Sequence, residues 1–145
     1  MLESSGIPPK IRDAFDTESA RLDVIEAAIG GDFVFVVTAV DDPPAAGTGF
    51  DAITVKIEAK NAAGDVHTWF NKTITTTALA VTTAGNGTAA QVPATTCVMA
   101  NGVGTVEVTG TATWAADDTF VVESAEATIL GYTIAADSAT VTCVA

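Results

Sequence analysis

Positive charge is what this chain has least of: six Lys and Arg stand against eighteen Asp and Glu in 145 residues, a formal net charge of −12. Binding to nucleic acid needs clustered Lys or Arg to release counterions from phosphates, and no such cluster occurs. A nucleic-acid partner is therefore not expected. An acidic surface suits solubility, or a basic or neutral protein partner. Long apolar runs are missing as well. No stretch of 18 apolar residues appears, so no membrane helix is expected. The opening MLESSGIPPK has no apolar segment of the kind a secretory signal carries. Either the chain is used without export, or a signal has been removed from it.

Histidine and cysteine are nearly absent. His67 is the single histidine, and Cys97 and Cys143 are the only cysteines, far apart and without a CxxC. That inventory does not make a zinc ligand set at recognisable spacing. Nucleophilic catalysis needs a nucleophile and a base at hydrogen-bond distance, and a lone strand histidine is expected as a surface or cross-strand residue instead. With no export signal, two buried free thiols are expected in preference to a disulfide. The sequons Asn71-Lys72-Thr73 and Asn86-Gly87-Thr88 are then chance matches in a Thr-rich chain.

What the chain does have is two different hydrophobic rhythms. From Pro8-Pro9, which suits a helix entry, Ile11, Phe15, Leu22, Ile25 and Ile29 fall at alternating four and three spacing, with Glu18 interrupting. This is a narrow a/d seam, not the broader stripe of a helix lying on its own core. Gly30-Gly31 ends it. Such a helix is about 30 Å long and is marginal alone. Ile at most seam positions favours three strands over two. Residues 1–31 carry three basic and six acidic side chains, a mixture that copies can tolerate at close range. Residues 1–31 are thus read as a tail and an oligomerising or docking helix, with Phe33 and Phe35 beside the assembly surface.

After the glycines the chain reads as β. FVFVV (33–37) is apolar on both faces, which predicts a doubly buried strand or a subunit contact. AITVKIEAK (52–60) alternates, with Ile53, Val55, Ile57 and Ala59 to one face. VHTWF (66–70), TITTTALAV (73–81), TVEVTGTATW (105–114), TFVVES (119–124), ILGYTI (129–134) and SATVTCV (138–144) follow, with Gly110 a candidate bulge. DDPPAAGTG (41–49), NAAGD (61–65), AGNGT (84–88) and AADD (115–118) separate them. Eight or nine short strands between such turns predict an all-β sandwich over residues 32–145.

Motifs that bear chemistry are few. Asp41-Asp42 and Asp117-Asp118 pair carboxylates on loops, but without the spaced pattern of a calcium loop. They are expected to cap turns. GTGF (47–50), GNG (85–87) and NGVG (101–104) open no helix after a strand, so they read as β-turns and not phosphate loops. Neither metal nor cofactor is expected. Val106, Val108, Ala112 and Trp114 share one face by alternation, and Trp114 belongs to the core. Trp69 is open, because VHTWF could turn either His67 and Trp69 or Val66, Thr68 and Phe70 inward. An exposed Trp69 would be the best single candidate for a binding surface.

Two stretches resemble a known family. ITVKIEAKNAAGDV (53–66) resembles the strand and Asn-Gly-type turn that open bacterial immunoglobulin-like domains of the invasin type. NGVGTVEVTG (101–110) is similar to their recurrent strand, and TWAADDTFVV continues in the same manner. The resemblance spans residues 33–145 and implies a mainly β chain, an immunoglobulin-like antiparallel β-sandwich preceded by a short N-terminal helix. The layout of a seam helix and one acidic, Thr- and Ala-rich β domain also looks like accessory proteins of tailed-phage virions, the capsid decoration (cement) and head-fibre proteins. That likeness implies a non-enzymatic homotrimer on the capsid exterior. It would assemble in the host cytoplasm and stabilise the shell by binding the major capsid protein or another virion protein. A bacterial surface adhesin or carbohydrate-binding module is the alternative.

Overall fold

In the computed structural model, residues 34–83, 85–129 and 132–145 are described. The seam residues Ile11, Phe15, Leu22, Ile25 and Ile29, and Phe33 with them, lie outside the described residues. Ten strands make up the rest: β1 (Val34–Ala39), β2 (Gly47–Lys60), β3 (Thr73–Val81), β4 (Thr88–Val92), β5 (Thr96–Val98), β6 (Val103–Trp114), β7 (Thr119–Ser124), β8 (Ala127–Ile129), β9 (Tyr132–Ile134) and β10 (Ser138–Thr142). They pair antiparallel into a sheet of order β1-β2-β6-β4, a second of order β10-β7-β3-β5, and a β8-β9 hairpin.

Period-2 patterning explains the register. Ile53, Val55, Ile57 and Ala59 of β2 all point inward, and all four are buried. Their partners Val106 and Val108 on β6 and Phe35 and Val37 on β1 complete the inner face of the first sheet. From the second sheet Ile74, Cys97, Phe120, Val122 and Val141 join the same buried cluster. Burying one such large apolar side chain stabilises by about 1.5–3 kcal/mol, which fixes which face of each strand turns inward. Trp114 lies in this core at 1 % exposure, as its alternation predicts.

Several local expectations fail for identifiable reasons. β1 buries one face, Phe35 and Val37, while Val34 and Val36 on the other face are part-exposed, so the strand is not buried on both sides. Phe35 is 2 % exposed and packs edge-on against Phe70, so its side chain belongs to the core of the body. GTGF is not a turn: it lies within β2, where register shifts flank Phe50 and Gly49 adopts φ +83°. The Phe50 ring lies where a Cβ on Gly110 would stand, so the two residues are matched across the bulge. Ala112 takes φ +63° and faces outward, breaking the alternation before Trp114 resumes it. NGVG, in contrast, does turn. Asn101 (φ +52°) and Gly102 (φ +78°) sit between Ala100 and Val103, which exchange both backbone hydrogen bonds, the pattern of a type I′ hairpin.

β1 and β10 run in the same direction. Val34 bridges Ala135 and Ala45 bridges Val144, both parallel. The described chain therefore enters at one pole, formed by Val34, the 61–72 connection, the Asn101-Gly102 turn and the β8-β9 hairpin. It leaves at the other, formed by the 40–46 connection, Ala115–Asp118 and Val144.

Candidate functional site

The entry pole holds a large exposed aromatic. VHTWF is not a strand. Val66 makes one bridge to Lys60, and His67 then donates its N–H to the Ala59 carbonyl at 2.8 Å. The Phe70 N–H closes a tight turn on the His67 carbonyl at 3.0 Å. A turn defeats strand alternation, so His67 and Phe70 both go inward, at 6 % and 0 % exposure, while Trp69 stays 41 % exposed. The indole rests on them: ring centroids lie 5.5 Å from His67 and 6.2 Å from Phe70. Gly102 is required beneath this turn, because a Cβ there would run into the His67 carbonyl and the Val66 side chain.

Several polar side chains near Trp69 are already committed. Asn71 donates from Nδ2 to the Trp69 carbonyl at 3.0 Å, and its Oδ1 accepts from the Asn101 N–H at 2.9 Å. Lys72 donates to the Thr128 carbonyl at 3.3 Å. Lys60 pairs with Glu58 at 3.0 Å and Lys56 with the same carboxylate at 3.4 Å. Desolvation pushes the Glu58 carboxyl up, but hydrogen bonds and charge from Lys60 and Lys56 outweigh it and hold the group below the usual range. The exposed indole of Trp69 thus stands beside an asparagine and a lysine that are already bonded.

His67 is neither the surface nor the cross-strand residue its strand-like context predicts. Desolvation lowers its pKa, with Asp65 opposing more weakly. The unfolded chain therefore takes up a proton near pH 6.5 while the folded chain does not until lower pH. Stability rises with pH wherever the unfolded state binds more protons. Folding stability should consequently fall as pH drops from about 7 to about 5.5, by at most ~1.4 kcal/mol per pH unit. Because His67 is the single histidine, His67→Gln should flatten denaturant-derived stability over that window. An unchanged slope in the variant would assign it to carboxylates.

One carboxylate of each acidic pair accepts backbone N–H groups. Asp41 Oδ2 accepts from the Thr54 N–H at 2.6 Å, a bond that lowers its pKa. Asp118, fully buried, accepts from Thr83 N–H at 2.9 Å through Oδ1 and from Ala115 N–H at 2.8 Å through Oδ2. Among the described residues no three His, Cys, Asp or Glu side chains gather as a metal group. A shallow groove of about 640 Å³ opens at the exit pole between Ala39, Asp41, Pro43, Asp117 and the 140–145 segment.

Cys97 and Cys143 are free and buried, as expected. Burial pushes the Cys97 thiol up to about 11 and raises that of Cys143, with Asp118 adding to the latter. The thiolate is the nucleophile, so neither should react with a disulfide reagent at pH 8 in the native state. Both should react once the chain is unfolded in denaturant. Rapid native labelling would mean that the core around Cys97 opens locally.

Sequence reasoning missed Gln91. It is buried on β4, and its Nε2 reaches the Thr76 hydroxyl of the opposite sheet, the Pro93 carbonyl at 2.9 Å and the Thr96 carbonyl at 3.3 Å. Only the surrounding alternation of Ala89 and Gln91 hints at an inward glutamine. No family model, no curated protein and no solved structure matches this chain.

Proposed function

We propose that this chain is a non-enzymatic structural protein of a virion. In this reading it is a capsid decoration or cement protein that binds the outer capsid as a homotrimer and stabilises the shell. The body is read as an immunoglobulin-like β-sandwich. What supports this is strand order: β1-β2-β6-β4 and β10-β7-β3 correspond to the A-B-E-D and G-F-C sheets of that fold, with β5 added beside β3. The observation that carries the function is the seam of Ile11, Phe15, Leu22, Ile25 and Ile29. A stripe this narrow buries little against a single body but suits three copies, and a trimer fastens neighbouring shell subunits by avidity without catalytic groups. The major capsid protein or another virion protein is the partner, and the protein resides on the capsid exterior after assembly in the host cytoplasm.

Sedimentation equilibrium of the full chain tests this first. A species of three times 14.6 kDa is expected, with a Leu22→Asp/Ile25→Asp variant falling to monomer. Mass spectrometry of purified tailed-phage particles should then find the chain in the virion fraction. A monomer at every concentration would remove the main support. The exposure of Trp69 favours one second reading, a surface adhesin or carbohydrate-binding module. Against it, Asn71 is already committed to backbone, so a sugar hydroxyl would find few free partners beside the indole.

A further inference from the structure

The two sheets turn different outer faces to solvent. On the first, Lys56, Glu58 and Lys60 of β2 and Glu107 of β6 occupy outward positions. Among the described residues, Glu123 is the one charged side chain in the four strands of the second sheet. Lys72, Asp117, Glu126 and Asp137 stand in the connections at the ends of those strands, and Asp118 beside them is buried. Two rows cross the middle of the second face, Leu79–Val121–Thr140 and Val81–Thr119–Thr142. Leu79 and Val81 are both exposed there.

In a chain of net charge −12, copies repel one another over most of their surface. The second sheet is where two of them meet with least repulsion, and its register suits a two-fold contact. Sheets pack face to face about 10 Å apart with their strands nearly aligned. A two-fold axis between two such sheets, crossing the strands along the Leu79–Val121–Thr140 row, lays Leu79 over Leu79 and Val121 over Val121. Each Glu123 then falls over Thr119 of the other copy. The two Glu123 stand about 14 Å apart along the strands, beyond the ~8–10 Å screening length of physiological salt.

We propose that the outer face of the second sheet is where the body meets a second copy of itself, paired about this axis. Three rows on three strands cover roughly 300 Å² of flat face, so the contact belongs with the weak and transient ones. Copies gathered on one shell stand at local concentrations on the order of millimolar, where such a contact is occupied. It uses none of residues 1–31 and is separate from the trimer.

The test uses the full chain with Leu22→Asp/Ile25→Asp, so that the seam adds no association. In physiological salt its weight-average mass by sedimentation should rise from monomer towards dimer between about 0.05 and 2 mM, as for a Kd near 1 mM. Val121→Lys opposes like charges across the axis and should weaken the pairing about tenfold. Thr119→Lys sets an ammonium over Glu123 of the other copy and should tighten it about threefold. Both add the same charge to the chain, so a general easing of repulsion would move them alike. Leu79→Lys replaces Val121→Lys if circular dichroism shows that variant unfolded. A mass that stays monomeric to ~2 mM, or equal effects of the two lysine substitutions, would overturn the pairing. A wild-type trimer that associates no further sinks the face and leaves the seam; a wild-type chain that forms dimers but no trimer does the reverse.

Discussion

Trp114→Ala is expected to cost about 3–5 kcal/mol of folding stability, the range for deleting a large buried aromatic. The indole is 1 % exposed and sits over Gly87, where any Cβ would collide with the ring. Phe50 meets it edge-on at 5.1 Å and itself stacks on Phe120 at 5.4 Å. Its Nε1–H donates to the Thr111 carbonyl at 3.1 Å, which satisfies the one polar atom of the side chain. Alanine leaves a hole lined by three elements, β2, β6 and β7, that hold one another in register and so relax little. Against a total of ~5–15 kcal/mol for an ordinary domain, the loss is large enough to leave the variant partly unfolded. Urea unfolding followed by circular dichroism measures it, with Trp114→Phe falling between the two. A cost below about 1 kcal/mol would mean that this pole collapses freely and is not a rigid part of the core.

Asp118→Ala should be nearly as damaging, at about 3–5 kcal/mol, because hydrogen bonds to a charged group contribute ~1.5–3 kcal/mol each and stranded buried donors add to the loss. Among the described residues the carboxylate holds two backbone N–H groups from different connections, Thr83 after β3 and Ala115 after β6. Its own carbonyl accepts from Cys143 N–H at 2.8 Å, so the last strand is tied to the same residue. Asp118→Asn is the sharper variant. An amide keeps one acceptor oxygen but presents N–H₂ to the second donor, so it should recover less than half of the loss. Recovery to wild-type stability would show that only one of the two bonds matters. Differential unfolding in urea again supplies the number.

The parts of this fold that were legible in the sequence are those where side-chain size alternates without interruption. In β2 every second residue from Ile53 to Ala59 is apolar and every other is Thr, Lys or Glu, so one register alone buries the first set. The type I′ turn was legible for a different reason: Asn and Gly are the residues that tolerate positive φ. β4 was not visible, and of β5 only the placing of Cys97 in a strand was. Ala, Thr and Val on both faces carry little size contrast, and the inward residue of β4 is a glutamine whose burial depends on Thr76 from another strand. The turn at His67–Phe70 was hidden as well. It packs on the bare Gly102, some thirty residues away in the chain, and no local pattern records that approach. The candidate site suffered most from this. Both strand alternations set His67 and Phe70 on opposite faces, and it is the turn that brings them together and leaves Trp69 out.

The parallel course of β1 and β10 also decides how the body carries force. Tension applied between Val34 and Val144 would draw the two strands past each other along their length. Phe35 N–H to the Ala135 carbonyl, Val37 N–H to Asp137 Oδ2, and the Ala46 and Val144 bonds at the far end would all be strained together. A shear arrangement of this kind must break its bonds at once, whereas an unzipping one breaks them in turn. A domain held by one pole and pulled by the other should therefore resist along the β1 and β10 direction more than across it.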